Sequence, residues 1–104
     1  MSAASDYLEN AALDHVLGNT AFTQPTTLYL GLFTNGSGAA STNLEAGTLT
    51  DEVSGGGYAR ETITFGAASG GTSDSAATVT FPAATANWGT VTHIAVMDAA
   101  TGGN

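Results

Sequence analysis

Apolar residues in the N-terminal part of the chain recur with the period of an α-helix. They stand at every fourth position, with two neighbours that widen the set: Leu8, Ala12, Val16, and beside them Leu13 and Leu17. This spacing places them on one helical face. Ser2 or Ser5 can cap the start, and Gly18 follows as a stop signal. The pattern predicts an amphipathic helix over about residues 2–17, whose apolar stripe must be buried against a sheet or a partner.

After Pro25 the period of the pattern shortens to two residues, which is the period of β-strands. Over residues 26–33 both sets of alternating positions are apolar or small, as in a strand covered on both faces. Three later segments also alternate: residues 58–65, 77–81 and 90–98. Glycine-rich turns separate these segments. We therefore expect a mainly β fold, an antiparallel β-sandwich or open barrel with one N-terminal amphipathic helix.

The length of 104 residues predicts a single domain over 1–104, with the helix at about 2–17 and a β-rich part at about 26–104. Residues 37–57 are mostly small and polar, and a loop of that length is often functional or ordered by a partner. The segment 98–104 has the composition of a hairpin turn after the last predicted strand. We expect that strand to have an open edge, which either further C-terminal strands or a neighbour's strand would cover.

The charge balance argues against two classes of partner. Arg60 is the sole Lys or Arg, and with nine carboxylates the formal net charge is −8. DNA and RNA binding requires several basic side chains to neutralise phosphates, so we expect no nucleic-acid partner. The same shortage argues against anionic lipid, and the apolar segments are too short to cross a bilayer, so we expect no membrane.

Residue types that serve catalysis or metal binding occur without the spacing of a recognisable site. His15 and His93 are explained more simply as a helix-surface residue and a hydrogen-bonded sheet residue. Four carboxylates lie at loops or strand ends, where Ca²⁺ ligands often occur, but lack the spacing of a Ca²⁺ loop: Asp51, Glu52, Asp74 and Asp98. There is no cysteine and no G-x-S-x-G motif, so a small hydrolase has little support. We expect no catalytic residue, no cofactor and no metal.

Five residues are candidates for an interface with another subunit: Arg60, Tyr58, Trp88, Leu8 and Val16. Arg60 can pair with Asp51, with Glu52 or with a carboxylate of a neighbouring subunit. Tyr58 and Trp88 can belong to a sugar-binding platform, although a core this small favours them inside. Leu8 and Val16 belong to the predicted helical stripe.

Three blocks of the sequence carry a resemblance that covers most of the chain: SDYLENAALDHVLGNTAFTQPTTLYLGLFT, EVSGGGYARETITF and FPAATANWGTVTHIAVMDAATGGN. They resemble small virion proteins of tailed bacteriophages that are often labelled tail-fibre-like. GGGYAR and ANWGTVTHIAVMDAATGGN are the most specific parts. Relatives continue beyond the region matching residues 102–104 into one or more further strands. This agrees with a hairpin turn over 98–104 that no second strand follows.

The resemblance implies a β-rich, non-enzymatic structural protein that assembles in many copies on the phage virion. The expected subunit is a multimeric outer-surface protein, with a capsid decoration (cement) protein slightly ahead of a tail or tail-fibre-like component. Its partners are copies of itself and other virion proteins, in a particle assembled in the bacterial cytoplasm. A carbohydrate- or receptor-binding β module is the alternative.

Overall fold

A computed structural model describes residues 3–104 as a three-stranded antiparallel sheet with two short helices. The elements are, in chain order, α1 (Asp6–Val16), β1 (Leu28–Phe33), α2 (Ala40–Glu45), β2 (Glu61–Ile63) and β3 (His93–Met97). The strand order in the sheet is β2-β1-β3. No helix among the described residues is long and apolar enough to cross a membrane. This architecture is consistent with the mainly β fold expected from the sequence, and the sandwich or barrel remains a prediction.

The helix α1 begins and ends at the residues that the sequence marks. The Ser5 side chain accepts a hydrogen bond from the Leu8 N–H at 3.3 Å, so Ser5 is the N-cap. Ser2, the other predicted cap, lies outside the described residues. At the C-terminal end the Asn19 N–H bonds to the Asp14 carbonyl at 2.8 Å, while Gly18 takes a left-handed conformation with φ of 78°. This arrangement satisfies carbonyls that the helix would otherwise leave unpaired.

β1 is the central strand and pairs along both of its sides. Leu30 lies opposite Glu61 of β2 and opposite Val96 of β3. The sheet and its neighbouring segments contribute the buried apolar side chains of the core: Phe33, Ala40, Val53, Ile63 and Met97. Phe33 has no exposed surface, and Ala40 is 1% exposed where α2 approaches β3. The predicted strand over 26–33 is confirmed, and the core is built around it.

Two segments differ from the sequence-based expectation. The strand predicted at 77–81 is absent, because the last backbone bond to a neighbouring segment there is from the Ala76 N–H to the Thr64 carbonyl, at 2.8 Å. Phe81 is instead held by stacking on Tyr58, with 6.2 Å between ring centroids. The segment predicted as a loop over 37–57 contains α2. Alternation of side chains alone cannot make a strand where no ladder partner is present.

The other predicted strands are present but shorter. Only Glu61–Ile63 of the segment 58–65 is paired as a strand, and only His93–Met97 of the segment 90–98. Beyond Ile63 the pairing is reduced to isolated bridges, such as Phe65 with Ser75. β3 pairs with β1 on one side and has no strand on the other among the described residues, which agrees with the expected open edge.

Candidate interaction surface

Arg60 lies inside the subunit and holds three distant parts of the chain together. Its Nε and a terminal nitrogen donate to the two carboxylate oxygens of Glu52, at 2.6 and 2.8 Å. Its other terminal nitrogen donates to the carbonyls of Ala99 and Gly102, at 2.7 and 2.8 Å. The Arg60 side chain is 1% exposed and that of Glu52 is 19% exposed. Of the partners that the sequence allowed, the structure selects Glu52 and joins it to the C-terminal turn.

A glycine in the middle of β1 leaves room for this ion pair. A Cβ at Gly31 would lie 3.5 Å from both Arg60 Nε and Glu52 Oε1, and 3.1 Å from the Phe33 ring. Glycine weakens a strand in general, and its presence inside one often marks close approach of another group. Gly31 therefore positions the Arg60–Glu52 pair against the sheet.

The electrostatics of the pair favour its charged form. Burial by itself would raise the pKa of Glu52, but hydrogen bonds from Arg60 and Tyr58 outweigh it and hold that pKa below its usual value. The hydrogen bond with Glu52 in turn raises the pKa of Arg60. Both groups are therefore ionised at neutral pH, and the bidentate geometry is among the stronger forms of ion pair.

Tyr58 connects this pair to an aromatic cluster. Its hydroxyl donates to Glu52 Oε1 at 2.9 Å and accepts from the Leu32 N–H at 3.0 Å. Burial raises the pKa of this hydroxyl above its ordinary value. Its ring meets the Trp88 ring edge-on at 5.6 Å, and Trp88 Nε1 donates to the Gly56 carbonyl at 2.9 Å. Tyr58 and Trp88 thus direct polar groups and ring contacts into their own chain.

Asp51 organises the loop that precedes this cluster. It accepts hydrogen bonds from the Ser37 hydroxyl and, at 2.9 Å, from the Ser37 N–H. The Ser37 side-chain bond, followed by the backbone bond, lowers the pKa of Asp51. Its carbonyl accepts from the Thr34 N–H at 2.9 Å, which continues the pairing of β1 beyond its end. Asp51 and Glu52 therefore have internal roles, although the sequence also allowed them as Ca²⁺ ligands.

The apolar stripe of α1 is exposed within the subunit. Its members are exposed by 45% to 78%: Leu8, Leu13, Val16 and the following Leu17. No residue of α1 is buried. Of the five candidate interface residues, Leu8 and Val16 therefore lie on open surface. Arg60 is buried, and Tyr58 and Trp88 are half-buried.

β3 adds a second exposed apolar region. Ile94 and Val96 are 63% and 44% exposed. They lie opposite Leu32 and Leu30 of β1, and directly opposed residues share one face of a sheet. These four half-buried or exposed side chains form what we call the outer face. A sheet normally buries such a face against another layer.

A groove of about 880 Å³ runs along β3, between it and the two helices. Its lining includes Tyr7 and Leu8 of α1, Leu44 and Glu45 of α2, and the length of β3. Glu45 lines this groove, and its carboxylate lies beside those of Asp6 and Glu9, with ligand oxygens of all three within 4.8 Å of one another. We call these three exposed residues the acidic rim.

The sequence did not predict the groove or the acidic rim. Asp6 and Glu9 lie in the first turn of α1, but Glu45 belongs to α2, which was expected to be a loop. The four-residue spacing of Ala40 and Leu44 is the sequence signal that could have found α2. In the structure the Asn35 side chain accepts a hydrogen bond from the Ala40 N–H at 3.1 Å.

The histidines have local partners. His15 Nδ1 accepts from the Phe22 N–H at 3.1 Å, and His93 Nδ1 lies 2.8 Å from the Thr92 hydroxyl. Asp98 accepts from the Asn104 N–H at 2.7 Å, and its own N–H bonds to the Asn104 carbonyl at 2.9 Å. The segment 98–104 thus closes on itself as a turn, as its composition predicted.

Comparison with known protein families places the chain in one of them. The model of a family described as podophage GP4 fiber I protein gp80 matches residues 3–104. No curated protein matches the chain. No solved structure matches it either.

Proposed function

The chain belongs to the podophage GP4 fiber I protein gp80 family, a family of phage tail-fibre-type structural proteins, and on this premise we propose that it is a non-enzymatic, multimeric subunit of a tailed-phage particle. The subunit would assemble with copies of itself and with other virion proteins. Assembly of the particle would take place in the bacterial cytoplasm.

The observation that carries this proposal is the unburied stripe of α1. Val16 and Leu17 are 78% and 76% exposed, although the helix has the apolar periodicity of one that packs on something. Contiguous apolar surface on a small protein commonly marks an interaction site. Burying an apolar side chain contributes about 1.5–3 kcal/mol, so the stripe alone could stabilise an assembly substantially.

Self-association also offers a route to the expected sandwich. The outer face of one subunit could pack on the outer face of another, giving two layered sheets with Ile94 and Val96 between them. Each subunit then needs only one sheet of its own. The sandwich would be a property of the oligomer and not of the single chain.

The family membership supports a fibre-type position on the particle ahead of capsid decoration, which the sequence had placed first. Both positions require a multimer on the outer surface. They differ in the number of copies and in the particle part that carries the protein.

The test has two steps. Light scattering on the purified protein should give a discrete oligomer at high concentration, and the variant V16S/L17S should shift it towards monomer. Antibody labelling of separated heads and tails should then find the protein on tails. A monomer at all concentrations that also fails to bind particles would contradict the proposal, and labelling of heads would move the protein to capsid decoration.

A carbohydrate- or receptor-binding module is the second candidate. It rests on Tyr58 and Trp88, which are half-buried and contact each other, while Tyr58 also stacks on Phe81. Glycan-array binding that is lost in Trp88→Phe would support it over the assembly role.

A further inference from the structure

We propose that the open edge of β3 binds an extended segment of a different protein, one that alternates apolar residues and carries Lys or Arg at the acidic rim. This inference rests on the proposed function, because it identifies the chemistry of a heterologous virion partner. It concerns the groove and leaves the C-terminal half of the α1 stripe for self-association.

The hydrogen-bonding pattern of the sheet shows which groups face the edge. The Leu32 N–H and carbonyl bond to Tyr58 and Val53, on the side of β1 away from β3. In an antiparallel ladder alternate residues bond to opposite sides, so Phe33 and Gly31 bond towards β3. Their partners on β3 are His93 and Ala95.

It follows that the intervening residues of β3 direct their backbone groups outward. The N–H and carbonyl groups of Ile94 and Val96 point away from β1, and both residues line the groove with exposed side chains. An edge of this kind accepts another strand through main-chain bonds, with the side chains giving specificity. The five residues of β3 offer about 17 Å of pairing length.

The charge of the rim decides what kind of segment fits. Asp6, Glu9 and Glu45 bring three exposed carboxylates together beside the groove, which Glu45 lines. Lys and Arg are the side chains that relieve such repulsion. A basic residue at one end of the bound segment would reach the rim while its alternating apolar residues lie along β3.

A second copy of this chain does not supply that cation. Its one Lys or Arg is Arg60, whose side chain is 1% exposed and engaged by Glu52. Residues 3–104 and a second copy of them thus offer no exposed Lys or Arg, and we assign the occupant to a chain of different composition.

The test uses labelled synthetic peptides that alternate valine and threonine, with a lysine pair at either end, and matched peptides with glutamate in place of lysine. Fluorescence anisotropy should show binding of a lysine peptide and none of the glutamate peptides. The variant D6N/E9Q/E45Q should raise the Kd for the lysine peptide about tenfold. Each exposed ion pair contributes little to the binding free energy, but this variant removes all three carboxylates at once. The variant D14N/E61Q/D74N, which neutralises three carboxylates elsewhere, serves as the matched control.

Amide hydrogen exchange gives a readout that needs no variant. Bound peptide should slow exchange at Ile94 and Val96, whose N–H groups face the edge, and leave Ala95, already bonded to β1, unchanged. The inference would be overturned if no lysine peptide bound, or if both triple variants lost the same peptide affinity. It would also be overturned if bound peptide left exchange at these two amides unchanged.

The outcome is separable from that of the proposed function. A rim variant that still joins the phage particle, with unchanged copy number, would refute the groove as the particle contact and leave the fibre-type role intact. If the protein binds the peptide but is absent from phage particles, the groove would stand as a peptide-binding site and the fibre-type role would be refuted.

Discussion

The guanidinium of Arg60 meets the carboxylate of Glu52 through two nearly parallel hydrogen bonds of 2.6 and 2.8 Å, directly over Gly31. The remaining donors of Arg60 reach the turn at Ala99 and Gly102. The pair therefore connects the end of the long loop, the strand segment before β2 and the C-terminal turn. The C-terminal turn is far in sequence from the other two parts, so Arg60 provides a long-range tertiary contact.

Removing the Arg60–Glu52 ion pair should strongly lower the free energy of unfolding of the subunit. Arg60→Ala leaves a partly buried carboxylate and two carbonyls without their donor, and breaking such a pair costs about 3–5 kcal/mol. Arg60→Lys keeps the charge but not the bidentate geometry, so its cost should be smaller, about 1.5–3 kcal/mol. Urea unfolding followed by circular dichroism measures both.

The double variant R60M/E52L provides the control for that prediction. If the cost of Arg60→Ala arises from the carboxylate left behind, the double variant should be more stable than the single alanine variant. Equal destabilisation in all variants would show that packing, and not the ion pair, sustains this region.

Stability should fall in acid because two carboxylates are held in their charged form. The pKa of Glu52 and that of Asp51 both lie below their ordinary values in the folded protein. The unfolded chain therefore takes up protons first as the pH falls, and the stabilisation present at neutral pH is lost below about pH 4. Thermal unfolding measured from pH 7 to pH 3 follows this loss.

Removing one of these groups should flatten the pH dependence. Glu52→Gln should lower the melting temperature at neutral pH and show a smaller further loss in acid than the wild type. Glu61→Gln, a carboxylate on β2, is the comparison. An acid transition of unchanged size in Glu52→Gln would contradict the assignment of the effect to this pair.

Gly56 should tolerate alanine less well than its neighbour Gly55. Both have positive φ, at 60° and 74°, so alanine strains the backbone at either position by about 1–2 kcal/mol. A Cβ at Gly56 would also lie 2.8 Å from Trp88 and 3.0 Å from the Ala86 carbonyl, whereas at Gly55 nothing lies within 4 Å. The difference between the two variants therefore measures the contacts of position 56 with Trp88 and with the Ala86 carbonyl.

Tryptophan fluorescence reports this directly, because the chain has one tryptophan. We expect Gly56→Ala to shift the emission of Trp88 and to unfold at lower urea than Gly55→Ala. Coincident unfolding curves and emission spectra would show that the indole is not packed against this glycine.

Self-association through the α1 stripe should strengthen with salt. Each subunit carries a net charge of −8, so copies repel one another at low ionic strength, and salt screens this repulsion while apolar contacts persist. Sedimentation of the wild type in low and high salt should show larger species in the latter. V16S/L17S should remove the salt effect, whereas Val91→Ser, an exposed apolar residue outside the helices and strands, should keep it.

Much of the local structure was determined by the sequence. The four-residue spacing, Ser5 and Gly18 give α1, since capping and periodicity act within a few residues. The alternation over 26–33 gives β1, because a period of two residues places successive side chains on opposite faces of a strand. The single arginine among nine carboxylates also predicted an ion pair, since a carboxylate is the favoured partner of a guanidinium.

Only the tertiary structure decided how these elements are used. Phe81 belongs to an alternating segment, yet it stacks on Tyr58, because a strand forms only where a second strand offers its backbone groups. The sequence allowed Arg60 to pair with several carboxylates. In the structure it pairs with Glu52, because Gly31 has no side chain and leaves room for both groups. The acidic rim arises from α1 and α2 meeting in space, so no local pattern contains it. Burial and partner choice depend on contacts between residues distant in sequence, which periodicity does not encode.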